Sequence, residues 1–99
     1  MKFIQKYPRQ TGRTTLALMD MLMYALHNDN VKCMYVTHNH IFSKNCADKV
    51  WSVVSYLHVG IRNTSAKISL VNGSVIEFIG DETPIGRSDF DWISYDHVV

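Results

Sequence analysis

Residues 16–26, LALMDMLMYAL, constrain this chain more than any other segment. Leu16, Ala17, Leu18, Met19, Met21, Leu22, Met23, Ala25 and Leu26 spread apolar side chains round most of a helical circumference. A helix that is apolar nearly all round has to be buried. The stretch is interrupted by Asp20 and falls short of the ~20 apolar residues that a bilayer requires. Its cover is therefore expected to be protein, and no membrane partner is expected. A chain of 99 residues has room for one core, not two. With 46% hydrophobic and 19% charged residues, its composition is that of a globular domain and not of a disordered tail. No basic, apolar, small-residue leader opens it, so no secretion signal is read. Cys33 and Cys46 form no CxxC pair and are too few for a disulfide scaffold, which makes a reducing, intracellular setting the expectation.

The rest of the chain arranges itself around that helix, predicted from Arg13 or Thr14 to about His27. A strand-like opening, 2–6, is broken by Pro8, and Arg9-Gln10-Thr11-Gly12 follows as a polar loop. Asn28-Asp29-Asn30 ends the helix with turn formers. Residues 31–37, VKCMYVT, read as a buried parallel strand. Phe42, Cys46, Val50, Val53, Val54 and Leu57 recur at three- and four-residue spacing. They predict a second helix, with Asn39 as a plausible N-cap and Gly60 as its stop. Residues 67–71 and 74–79 flank Asn72-Gly73, a strong hairpin signal. A two-residue turn there would pair Leu70 with Val75 and Lys67 with Phe78. Residues 81–88 read as a loop, and 91–95 as a last strand with Asp96 at its carboxyl end. The order is β-α-β-α-β-β-β, which predicts an α/β sheet covered on both faces.

Charge is unevenly spread. Residues 1–13 hold Lys2, Lys6, Arg9 and Arg13 and no acid, while residues 81–97 hold Asp81, Glu82, Asp89, Asp91 and Asp96 against Arg87. Either the charges cluster by chance, or one end meets phosphate and the other a cation.

Tyr7-Pro8-Arg9-Gln10-Thr11-Gly12-Arg13-Thr14-Thr15 lies between a predicted strand and a predicted helix, the setting of a phosphate loop. Successive backbone N–H groups there form an anion cradle, and the helix start adds about half a positive charge. Thr14 falls where the Mg²⁺-binding hydroxyl of GxxxxGK[ST] would sit, and Gly12 allows close backbone approach. Tyr7 replaces the first glycine of that pattern and Arg13 its lysine. A phosphate-loop enzyme also needs an acid at the end of another core strand, usually followed by a glutamate that polarises the attacking water. Asp96 takes the first position, and His97 stands where the glutamate would be.

PRQTGRTT, ISLVNGSVIEF and GRSDFDWISYDH, in that order, resemble the N-terminal ATPase domain of phage terminase large subunits, the DNA-packaging motors of tailed phages. That family often carries a deviant phosphate loop of the form RQ-x-GKT, a hairpin with an NGS turn and a Gly/Arg loop leading to the acidic strand. Arg9, Gln10, Gly12, Thr14 and Thr15, then Asn72-Gly73-Ser74, then Gly86-Arg87 and Asp96 match these features. The resemblance implies a truncated P-loop NTPase-like domain across residues 1–99, with the phosphate loop at 7–15, the hairpin at 67–79 and the acidic strand at 91–96. The expected architecture is a partial three-layer sandwich, a short parallel sheet with an added β-hairpin. ATP would lie on Arg9, Gln10, Thr11, Gly12, Arg13, Thr14 and Thr15. Mg²⁺ would be held by Thr14 and, through water, by Asp96.

The departures at Arg13 and His97 imply little or no hydrolysis, with His97 the remaining candidate base at an ordinary pKa near 6.5. The strand that separates phosphate loop from acidic strand in the family is not found in the sequence. Either the two strands pair directly, or a second copy fills the gap and the protein is a homodimer. The implied setting is the cytoplasm of an infected bacterial host. The alternative is a non-enzymatic phage accessory protein that uses the fold as a surface for a packaging or host protein.

Other constellations are weaker. His38, His40, Cys33, Cys46 and His58 have no standard zinc spacing, and no base pairs with either cysteine. Met19, Met21 and Met23 read as core filler. Lys2, Lys6 and Arg9 are a weak signal for DNA phosphate.

Overall fold

The computed structural model describes residues 3–6, 13–37, 40–80 and 90–95. In chain order the elements are β1 (Phe3–Lys6), α1 (Arg13–His27), β2 (Lys32–Val36), α2 (His40–Leu57), β3 (Gly60–Thr64), β4 (Lys67–Leu70), β5 (Val75–Ile79) and β6 (Trp92–Tyr95). The strands form a single six-stranded sheet in the order β1-β6-β2-β5-β4-β3. β1, β6, β2 and β5 run parallel to their neighbours, and β4 and β3 continue the sheet antiparallel. The protein is thus an α/β fold with a mixed sheet.

β2 is central, and its side chains are buried on both faces. Cys33 and Tyr35 join α1, α2, β4 and β5 in the main core, which includes Leu18, Met21, Val50, Val54, Ile68, Ile76 and Phe78. Met34 and Val36 point the other way and cluster with Phe90 and Ile93. Burial on both sides is what a run such as KCMYV requires. β4 and β5, by contrast, alternate. Ile68, Leu70, Ile76 and Phe78 are buried toward the helices, while Lys67, Ser69 and Glu77 face away.

Both helices lie on one face of the sheet, since α1 and α2 contribute to the same core. Chain order explains this. The steps β1 to β2 through α1 and β2 to β3 through α2 run in the same direction across the sheet, so right-handed crossovers put both helices on the same side. From β3 the chain comes back through β4 and β5 by antiparallel pairing and then crosses β2 to reach β6. The three-layer arrangement expected from sequence is therefore corrected for the described residues. The second face carries the smaller apolar cluster with Phe90, and no described helix.

One consequence is that α1 is not enclosed. Ala17, Leu18, Met21, Leu22 and Ala25 are buried, whereas Leu16 and Met23 are each 52% exposed. The apolar circumference overstated the burial, because a helix on an open sheet has a solvent side. The sheet covers one stripe of it.

The hairpin forms, but in a different register from the two-residue turn. Lys67 pairs with Glu77, Ile68 with Ile76 and Ser69 with Val75. Val71, Asn72 and Gly73 form a three-residue loop, closed by the Leu70 N–H on the Ser74 carbonyl at 2.8 Å and the Gly73 N–H on the Leu70 carbonyl at 3.0 Å. Gly73 takes φ 89°, as the last residue of such loops does. The register follows the core. It sets Ile68 beside Ile76, where the two-residue turn would have set it beside Glu77.

β3 has no counterpart in the sequence reading. Helix α2 ends at Leu57, before Gly60, and His58 at φ 57° makes the reversal. The His58 N–H bonds the Ser55 carbonyl and the Val59 N–H bonds the Val54 carbonyl, each at 3.2 Å. This is a Schellman cap with histidine where glycine is usual. Gly60 instead serves β3, since a Cβ there would sit 2.5 Å from the Ser69 carbonyl oxygen.

Candidate functional site at the carboxyl edge of the parallel strands

The four parallel strands end in one row. Lys6 pairs with Tyr95, Tyr95 with Val36 and Val36 with Ile79. In open α/β sheets ligands bind outside this carboxyl edge, where loops from neighbouring strands converge. The segments that follow the four strands are 7–12, 96–99, 38–39 and 81–89, and all lie outside the described residues. They contain Arg9, Gln10, Thr11 and Gly12, then Asp96 and His97, then His38, then Gly86 and Arg87. In the chain, the sequence candidates thus follow strands whose ends lie in one row.

The expectation that the strands at 2–6 and 91–95 might pair directly is met. β1 and β6 are adjacent and parallel, with Phe3 opposite Trp92 and Lys6 opposite Tyr95. Asp96 follows the residue level with Lys6.

Helix α1 starts at Arg13, with Thr14 and Thr15 next and no acidic residue in its first turn. Thr15 is exposed. The start of a 15-residue helix carries about half a positive charge. Behind this edge, Thr37 is fully buried. It donates its N–H (2.9 Å) and its hydroxyl (3.3 Å) to the Ile79 carbonyl, tying the ends of β2 and β5 together. Sequence reasoning read Thr37 only as the end of a strand.

The opposite, amino edge explains the NGS turn structurally. The Asn72 amide donates to the carbonyls of Ala25 (2.8 Å), Leu26 (3.3 Å) and Asn28 (3.3 Å). The Ser74 hydroxyl donates to the Asn28 carbonyl at 2.6 Å and accepts from the Val31 N–H at 3.2 Å. The Asn28 amide bonds the Tyr24 carbonyl at 2.8 Å. Together these side chains satisfy carbonyls that the end of α1 leaves unpaired. A Cβ on Gly73 would collide with the Asn30 Oδ1 atom. Asn72-Gly73-Ser74, read as a family motif, is the C-terminal clamp of α1.

Cys33 and Cys46 are free and buried in the core. Burial, and then the nearby Asp91 carboxylate, push the Cys33 thiol up to about 12. Asp91 accepts from the Lys32 N–H at 3.0 Å, a role at the amino edge away from the phosphate-loop position. Such a thiol stays protonated at neutral pH. Among the described residues no group of three or more His, Cys, Asp or Glu is placed to hold a metal ion. No described helix is long and apolar enough to cross a membrane. No family model matches this sequence, and no curated protein matches it either.

Proposed function

We propose that the chain is a degenerate, terminase-like P-loop nucleotide-binding domain. It binds ATP with Mg²⁺, hydrolyses it slowly or not at all, and is linked to phage DNA packaging. The observation that carries the reading is the parallel, level pairing of β1 with β6. The chain leaves β1 for the loop at 7–12 and α1, and leaves β6 for Asp96, from neighbouring points on one edge. A phosphate loop and a Mg²⁺ acid have to meet at one metal–phosphate site; the terminase family places a further strand between their two strands, and here the two are adjacent. In this reading Arg9, Gln10, Thr11 and Gly12 supply the cradle. Arg13 and Thr15 neutralise and hydrogen-bond phosphate oxygens, and Thr14 and Asp96 hold the metal. With His97 in place of glutamate, the attacking water lacks its usual base.

Isothermal titration of ATP and Mg²⁺ tests this. Native protein is expected to bind with micromolar affinity. Arg13→Ala removes a charge-assisted contact and should weaken binding roughly tenfold to a hundredfold. Arg13→Lys should bind as well or better without restoring hydrolysis. Equal affinities for native protein and Arg13→Ala would end the reading. A Mg²⁺-dependent turnover near 1 s⁻¹, a typical enzymatic value, that vanishes in Asp96→Ala would contradict the pseudo-ATPase part.

The accessory-protein reading draws on a different observation. Ile41, Tyr56, Ile61 and Val71 are 77%, 82%, 63% and 76% exposed, and exposed large apolar residues are the raw material of protein contacts. It takes over if ATP fails to bind at millimolar concentration.

A further inference from the structure

Asn72 is one of six asparagines in the chain and the only one followed by glycine. An asparagine loses its side-chain amide when the backbone nitrogen of the next residue attacks its Cγ atom, and glycine puts no Cβ in the way of that attack. In the fold both reacting groups are occupied. The Gly73 N–H donates to the Leu70 carbonyl at 3.0 Å. The Asn72 amide nitrogen donates to the carbonyls of Ala25 at 2.8 Å and of Leu26 and Asn28 at 3.3 Å, and its Oδ1 accepts the Ser74 N–H at 3.0 Å. Gly73 is also held at φ 89°, with the Asn30 Oδ1 packed where a Cβ would lie.

We propose that Asn72 is a modification site, a point of self-deamidation that stays closed while the hairpin tip clamps α1 and, once converted, keeps the clamp from forming again. The only co-reactant is water. In the opened loop the Gly73 nitrogen gives its proton to solvent base and attacks Asn72 Cγ. The N–Cγ bond forms and the Cγ–Nδ2 bond breaks. The leaving amide takes a proton from water and departs as ammonia. Water then opens the cyclic imide at either of its carbonyl carbons. Attack at the backbone carbonyl carbon reroutes the chain through Cγ and leaves isoaspartate; attack at Cγ leaves aspartate.

Neither product can remake the clamp. A carboxylate has no N–H for the carbonyls of Ala25, Leu26 and Asn28, and it sets a negative charge at the negative end of α1. Isoaspartate also adds a backbone carbon to the loop that the Gly73–Leu70 bond closes. The last turn of α1 is then left with carbonyls lacking a donor. The closed fold protects Asn72, a local opening of the tip exposes it, and each conversion is permanent. The site lies at the amino edge of the sheet and does not depend on nucleotide binding.

Incubation at mildly alkaline pH, followed by peptide mass spectrometry with separation of aspartate from isoaspartate, tests this. In the urea-unfolded chain Asn72 should convert before any other asparagine. In the folded protein it should convert roughly tenfold or more slowly than in the unfolded chain, because opening limits it. Ser74→Ala removes the hydroxyl that bonds the Asn28 carbonyl and loosens the tip, so its Asn72 should convert faster than that of the native protein. Converted protein, separated from unconverted, should exchange the amides of residues 24–28 and 70–74 faster. Equal rates in the folded and unfolded chains would overturn the proposal, and that comparison needs no variant. So would earlier conversion of another asparagine in the unfolded chain, a native rate in folded Ser74→Ala, or unchanged amide protection at the end of α1 after conversion.

Discussion

Asn72 does more for this fold than its place at a hairpin tip suggests. Its amide reaches the carbonyls of Ala25, Leu26 and Asn28, and its own Oδ1 accepts the Ser74 N–H at 3.0 Å. Asn72→Ala leaves carbonyls at the end of α1 without their donor and should cost about 1–3 kcal/mol in urea unfolding. Asn72→Asp should cost more, because it also places a negative charge at the negative end of the helix. Cys33 is a second residue with a readable consequence. Its thiol titrates near 9.0 when unfolded and at about 12 when folded. Between those values the unfolded chain binds fewer protons, so stability is intact below pH 9 and falls as pH rises, by up to about 1.4 kcal/mol per pH unit. Tyr24, also raised by burial and then by Asp91 and Cys33, adds to the same trend. Chemical melts across the alkaline range should show this slope, and Cys33→Ala should flatten it.

At the scale of elements, the informative contrast is between the two sides of α1. Leu18→Ala empties a fully buried position and should lose about 2–5 kcal/mol. Leu16→Ala alters a half-exposed side chain and should change stability by no more than about 0.5 kcal/mol. Equal losses would mean that α1 is covered on both sides after all. The end of α2 offers a gain. His58 occupies a left-handed conformation at φ 57°, which is disfavoured for any residue but glycine by about 1–2 kcal/mol. Glycine gives part of that back in unfolded-state entropy. His58→Gly should therefore raise the unfolding free energy by up to about 1 kcal/mol.

For the whole molecule, the sheet is open, with β1 and β3 as its edges. β2 is hydrogen-bonded on both sides and buried on both faces. Amide exchange should accordingly be slowest in β2 and fastest in β1 and β3. β3 is blunted as an edge by a register shift between Arg62 and Thr64 and by the Arg62 charge. The same topology sets the functional geometry, because four parallel strands end level and every candidate phosphate or metal residue follows one of those ends or begins α1.

Much of this was legible in the residues. The boundaries of α1 and β2 follow from apolar runs closed by turn formers, and the hairpin from Asn72-Gly73, since these signals act over a few neighbouring residues. Three features were decided only by tertiary structure. β3 carries no pattern of its own, because GIRNT is half exposed and becomes a strand by pairing with β4. The hairpin register was set by matching Ile68 to Ile76 across the core, which overrode the two-residue turn. Which face of α1 is buried depended on the sheet, since a helix apolar on most sides does not say which side will be covered. The candidate site divides in the same way. Its residue types and spacing are written in the chain at 7–15 and 96–97, while the adjacency of β1 and β6 comes from long-range pairing that no local stretch encodes.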